Sequence, residues 1–165
     1  MHLLTIEKKE SEKFLRLRPA PFDFSQHSKK EIRELVKAMR LLMKRFEGVG
    51  LSANQLGLNV SLFVAQVENK FYAIFNPKVV RGGGEEVEME EGCLSVPDKF
   101  GLVSRPEKIW IEGQGPDGKK IKIKAWGLLA RVFQHEVDHL NGKLFIDHAR
   151  QIRVLRNAGV RGDNS

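Results

Sequence analysis

The run Gln134-His135-Glu136-Val137-Asp138-His139-Leu140-Asn141-Gly142 decides how the rest of the chain is read. It sets two imidazoles four positions apart with a carboxylate beside the first. On a helix both histidines then point the same way, about 40° apart around the axis, which is the geometry of a two-pronged metal clamp. With 5 His in 165 residues, the chance expectation of one His-Glu-x-x-His match is roughly 0.01, so the motif is specific. Leu128, Leu129, Val132, Phe133, Val137 and Leu140 repeat around it at helical spacing, from Gly127 to a stop near Asn141-Gly142. Such an apolar helix is expected in the middle of the fold. Two histidines and a glutamate buried there are costly without a compensating charge, which a divalent cation supplies.

A catalytic metal needs a third ligand. The only cysteine, Cys93, excludes an intramolecular disulfide and leaves a thiol for burial, nucleophilic work or metal binding. It precedes His135 by 42 residues, too far for a compact zinc finger. One Cys and two His leave the fourth position of a tetrahedron for water, the mark of a catalytic site. Glu136 is then placed to take the proton of that water and later return it. The oxyanion of an attacked carbonyl also needs donors; the Gln55 amide and a backbone N–H beside Cys93, such as that of Leu94, are candidates.

At 165 residues the chain suits a single domain spanning 1–165, with a basic, mobile tail expected from about residue 150. Hydrophobic content of 41% and charged content of 30% are those of a soluble globular protein. No apolar run approaches the roughly 18 residues of a spanning helix, and Met1 to Glu12 does not read as a signal peptide. No membrane partner and a cytoplasmic location are therefore expected. The net charge of +7 suits a polyanion or simply a solvated surface. No recognised motif accompanies it, so sequence-specific nucleic-acid binding is not expected.

Toward the N-terminus, Leu3, Leu4 and Ile6 suit an edge strand in an extended segment over residues 1–27. Ser28 and Glu31 form a capping box ahead of an amphipathic helix of about 18 residues ending at Gly48. Gly48 to Gln55 reads as a helix-to-strand turn. Val60–Val67 and Phe71–Phe75 read as a hairpin closed by Asn76-Pro77, and Gly82-Gly83-Gly84 as a flexible loop. Glu85 to Glu91 is acidic and reads as a solvated face. Strands over 100–103 and 108–112 are expected to be broken by Pro106, and Lys120, Lys122 and Lys124 to point outward from a second hairpin. Leu144 to Ile146 suits a short strand or turn, and Arg150 to Arg161 a frayed tail or basic helix. The fold expected is α+β, with mainly antiparallel strands packed around the motif helix plus the earlier amphipathic helix.

Three stretches, Gly48-Val49-Gly50-Leu51-Ser52-Ala53-Asn54-Gln55, Glu91-Gly92-Cys93-Leu94-Ser95 and Gln134 to His139, resemble in order and spacing the three motifs of the peptide deformylases. The resemblance implies removal of the formyl group from N-terminal formylmethionine of new polypeptides, with release of formate. It implies Cys93, His135 and His139 as metal ligands, Glu136 as general acid/base, and Gln55 with the Leu94 N–H as oxyanion stabilisers. Gly50 would bind the peptide backbone, Val49, Leu128, Val132 and His135 the methionine pocket, and Glu91 and Arg105 would support the ligands. The family's metal is usually Fe(II), with Zn, Ni or Co able to replace it. Ser52 stands where Ala is commoner, and Arg131 where many members are apolar or small, which bears on side-chain preference. The implied partners are N-formylmethionyl nascent peptides and, through the basic surface, the ribosome; a monomer is expected. The alternatives are an endopeptidase using the same helix and a metal-stabilised, ribosome-associated binding module without catalysis.

Overall fold

The computed structural model describes residues 1–155. Its elements are α1 (Lys9–Leu15), α2 (Lys29–Arg45), β1 (Gly50–Ser52), β2 (Leu62–Val67), β3 (Lys70–Cys93), β4 (Val96–Gln114), β5 (Lys120–Trp126), α3 (Gly127–His139) and β6 (Arg150–Val154). The strands form an antiparallel sheet in the order β1-β2-β3-β4-β5, with β6 added to β4. This is the α+β architecture expected from the sequence. None of the described helices is long and apolar enough to cross a membrane.

β2 is buried almost continuously because helices cover both its faces. Phe63, Ala65 and Val67 face α3, meeting Phe133 and Val137, while Leu62 and Val64 face α2, meeting Met39 and Met43. The apolar stripe of α2 thus pins one face of the sheet, and its Ser28–Glu31 capping box satisfies the first-turn donors. α3 lies against the other face, on Ile109, Ile111 and Ala125. A third apolar cluster, Val96, Val103, Leu144 and Phe145, sits under the β3–β4 turn.

Several local expectations are overturned. Lys9–Leu15 is helical rather than extended, anchored by fully buried Leu15; seven residues are too few to show a period. Leu4 and Ile6 form no ladder strand, yet their N–H groups donate to the carbonyls of Gln55 and Ser95. Asn76-Pro77 does not end β3: the ladder slips register between Phe75 and Lys78 and continues to Cys93, the bulge absorbing the proline. The Gly82-Gly83-Gly84 run is strand, not loop. A Cβ at Gly82 would meet Pro106 Cγ at 3.1 Å and one at Gly83 would meet Trp110 Cζ3 at 3.1 Å, so the missing side chains admit two rings from β4. Pro106 likewise leaves β4 unbroken, opposite Glu86 at the next register shift. Phe145–Asp147 is a 3-10 turn, the turn expected there as one alternative, whereas Arg150–Val154 is an edge strand instead of frayed tail or helix. The rest of the basic tail lies outside the described residues.

Ser28→Ala removes the cap's acceptor and leaves the core untouched. The urea midpoint should fall by an amount equivalent to about 1 kcal/mol, with no change in the slope of the transition.

Candidate metal centre

Cys93 ends β3, and a two-residue turn, Leu94-Ser95, reverses the chain into β4. The thiol is thereby mounted at the tip of a long hairpin. α3 presents His135 and His139 beside it, their ring centroids 5.0 Å apart. Cys93 Sγ lies 3.2 Å from His139 Nε2, and one ligand atom from each of Cys93, His135 and His139 falls within 4.8 Å of the others.

Glu91 fixes His135. One carboxylate oxygen accepts from Arg105 Nε and Arg131 Nη1, both at 2.7 Å; the other accepts from Arg105 Nη2 and pairs with His135 Nδ1, both at 3.0 Å. With Nδ1 engaged, the imidazole turns its other nitrogen to Cys93. Asp138 accepts from Arg105 Nη1 at 2.7 Å. Burial raises the Glu91 carboxyl, but hydrogen bonds from His135 and Arg105 outweigh it and hold the group well below the carboxylate range. Burial opposes charge on His135 too, and its hydrogen bonds to Cys93 and Glu91 overcome that, raising it. Burial, with the neighbouring His135 and Arg105 charges, pushes His139 down.

Glu136 is 3% exposed, and burial raises its pKa against the lowering effects of His135 and a Ser52 hydrogen bond. The Ser52 hydroxyl donates to Glu136 Oε2 at 2.6 Å. Oε1 lies over Gly50, where a Cβ would come within 2.3 Å of it, so only glycine fits beside this carboxylate. Gln55 is oriented as firmly. Its Oε1 accepts from the Ser52 backbone N–H at 2.9 Å, so its Nε2 faces Ser95 Oγ at 3.0 Å and Cys93 Sγ at 3.7 Å.

A cleft of about 620 Å³ opens onto these groups. Its lining includes Val49, Gln55, Leu94, Leu128, Val132 and Glu136. Val132 is buried, while Val49 and Leu128 are half exposed, leaving an apolar rim open to an apolar side chain. Gly50 is buried on β1 next to that rim. Arg131 touches the cleft, but its guanidinium is spent on Glu91 and on the carbonyls of Val87 and Val103. A larger hollow of about 840 Å³ is lined by Arg105 and Asp138 of the ion-pair network but by none of the thiol or imidazole groups.

Sequence reasoning missed four contributors. Ser52 is singled out from the sequence only as standing where Ala is commoner, and Ser95, Asn54 and Asp138 have no role assigned from it. Asn54 donates to the His139 carbonyl at 2.7 Å, closing the end of α3. Glu91, by composition one of a solvated acidic run, is 7% exposed. Ser52, Asn54 and Ser95 fall inside the quoted motif stretches just as Asp138 does, and that placement is the local signal each carries.

The donor set suits a transition metal. His139 Nδ1 is buried without a partner while Nε2 converges with a thiol and a second imidazole, and sulfur with two nitrogens is a zinc- or iron-type combination. A buried carboxylate next to such a cluster defines the class: a metal-dependent hydrolase.

Comparisons with known proteins narrow the class. The polypeptide deformylase family profile matches residues 5–154. The peptide deformylase of Syntrophobacter fumaroxidans is 43% identical over 124 residues, 72% of each chain. That of Treponema pallidum is 38% identical over 136 residues, 80% of this chain and 84% of its own. A Synechococcus elongatus peptide deformylase solved with actinonin superimposes with a TM-score of 0.82 at 33% identity, covering 91% of this chain and 79% of that one. A class I type b peptide deformylase of Acinetobacter baumannii, bound to Met-Ala-Ser, gives 0.83 at 28% identity, covering 90% and 97%. The chain belongs to the peptide deformylase family. The binding module without catalysis finds no support in these relatives.

The depressed Glu91 carboxyl has a pH consequence. Its contribution to stability is complete above the unfolded value, near pH 4, and drains away as acid approaches the lower folded value. Metal-free protein should therefore lose stability below about pH 4 in urea titrations. Glu91→Gln should be weaker by about 3–5 kcal/mol at neutral pH, from stranded buried guanidinium charge, with a shallower acid slope.

Proposed function

We propose that this chain hydrolyses the formamide bond of N-formylmethionyl nascent peptides, releasing formate, through the residues gathered at the β3–β4 turn and α3. The observation that carries the assignment of roles is the setting of Glu136. It is a buried carboxylate lining the cleft, with one oxygen tied to Ser52 and the other packed against Gly50, directly next to the Cys93, His135 and His139 cluster.

A divalent cation held by Cys93, His135 and His139 supplies Lewis-acid polarisation of the carbonyl and a water acidic enough to ionise near neutrality. The chain supplies the rest. Glu136 takes the water's proton on Oε1 and delivers it to the leaving amine, and its raised pKa favours holding that proton in between. The Gln55 amide and the Leu94 backbone N–H donate to the carbonyl oxygen as charge develops on it. Gly50 meets the peptide main chain. Val49, Leu128, Val132 and the His135 ring enclose the methionine side chain. Arg131, committed to Glu91, leaves that pocket apolar, which favours methionine over an acidic side chain. The Met-Ala-Ser bound by the Acinetobacter relative is the kind of product this reaction leaves.

Fe(II) is the metal we assign, from the family resemblance, with Zn, Ni and Co able to use the same ligands. We assign the whole of 1–165 to one catalytic domain, working as a cytoplasmic monomer where nascent chains emerge, with the basic surface favouring contact with the ribosome.

Protein loaded anaerobically with Fe(II) should release formate from a formyl-Met peptide. Glu136→Ala should lower that rate by about 10²–10⁴ while metal analysis of the same sample shows unchanged occupancy. Normal turnover in the variant would sink the mechanism.

A further inference from the structure

The active site leaves one large feature of the molecule unused: the face of β3, β4 and β5 turned away from α3. The register aligns Lys78 with Glu112 and Lys122, Arg81 with Trp110 and Lys124, and Gly83 with Lys108 and Trp126. Ile109, Ile111 and Ala125 occupy the intervening positions and point into the core, so the aligned set faces outward. Lys120 continues the row beside Gln114. Six cations thus share one sheet surface, and Glu112 alone among these positions is acidic.

Both tryptophans of the chain lie on this surface. Trp126 is 65% exposed, more than any other large apolar side chain among the described residues. Trp110 lies over Gly83 with the Arg81 guanidinium 4.8 Å and the Lys124 ammonium 5.2 Å from its ring. Because Trp126 is opposite Lys108, two residues from Trp110, the two indoles are diagonal cross-strand neighbours, roughly 7–8 Å apart along the surface. A shallow hollow of about 340 Å³ between Trp110 and Val80 is lined by Glu112, Lys122 and Lys124.

α2 is also rich in lysine and arginine, but its exposed face carries no aromatic side chain, and a charged helix face is ordinarily just solvated. The sheet face pairs cations with one exposed indole, Trp126, and one partly exposed indole, Trp110. Phosphates satisfy the first and unpaired bases stack on the second, or on the Arg81 plane. An acidic polypeptide would use the charge and leave the indoles without stacking partners.

We propose that the outer face of β3, β4 and β5 binds single-stranded RNA without sequence preference. The face gives the polyanionic partner suggested by the net charge a location, on the side of the sheet opposite α3 and its catalytic groups. Binding here is independent of deformylation.

Full-length, metal-loaded protein titrated with a 12-nucleotide oligouridylate reads the site directly, because both tryptophans report it. Saturable quenching is expected, weakening steeply between about 50 and 200 mM salt. Lys122→Glu with Lys124→Glu should weaken binding about tenfold or more, with deformylase activity unchanged as the control for folding. Trp126→Ala should remove most of the quenching and weaken binding several-fold. The matched reversal on α2, Arg33→Glu with Lys37→Glu, should leave the affinity within about twofold. Absence of quenching at low salt overturns the proposal, as does an equal loss from the α2 reversal. Equally tight binding of polyglutamate with the same quenching also overturns it and assigns the face to an acidic protein.

Discussion

One buried carboxylate ties the structure together. Glu91, on β3, receives both forks of Arg105 from β4, a third guanidinium nitrogen from Arg131 on α3, and the Nδ1 of His135 one turn further along that helix. Burying a single charge of this kind costs several kcal/mol. The network is tolerated because Asp138 joins it through Arg105, so two guanidinium groups face two carboxylates and every strong donor has an acceptor. Its cost is offset only when hairpin and helix are docked together. The same docking that neutralises the charges aims His135 at Cys93, so the metal-ligand geometry comes with the fold and needs no separate device.

The length of the β3–β4 hairpin follows from that requirement. Cys93 has to reach α3 from the far end of a sheet whose other strands hold the core. The arms do this by bending at register shifts near Pro77, Gly83 and the Cys93 turn rather than by ending. The tip is then buttressed from outside the hairpin. Val96 and Val103 pack on Leu144 and Phe145, the Ile6 N–H donates to the Ser95 carbonyl, and the Phe145 ring lies near-parallel to His135 at 6.4 Å. Segments that follow and precede the catalytic core in sequence thus hold a turn that its own four residues could not.

What was legible in the sequence was what local chemistry decides. The capping box and 3.6-residue period of α2, the apolar period of α3 and the lysine alternation of β5 each settle their element without help from elsewhere. What was not legible depends on partners distant in sequence. Pro77, Pro106 and three glycines look like breaks until the opposing strand shows bulges and rings that need them. By composition alone Glu91 cannot be told from its exposed neighbours Glu88 and Glu90; the family resemblance singles it out, and the Arg105 and Arg131 contacts show why. The site was more readable than the scaffold because its candidate ligands sit in two compact motifs, the two histidines about one helical turn apart. The side chains that orient them, Ser95, Asn54 and Asp138, act across the fold and left little trace.

Ser52 shows how two functions can be kept in register by one residue. Its backbone N–H holds the Gln55 amide oxygen, which directs the amide nitrogen to the thiol, while its hydroxyl holds one oxygen of Glu136. The proposed oxyanion donor and the proposed proton carrier are therefore both referenced to Ser52, not to separate parts of the core. The hydroxyl contacts of Ser52 with Glu136 dock this turn directly onto α3. Gly50, two residues earlier, completes the arrangement by leaving room for the other carboxylate oxygen beside β1. A strand of three residues and the turn after it, which read in isolation as a simple connection, set the geometry on which the proposed proton transfer depends.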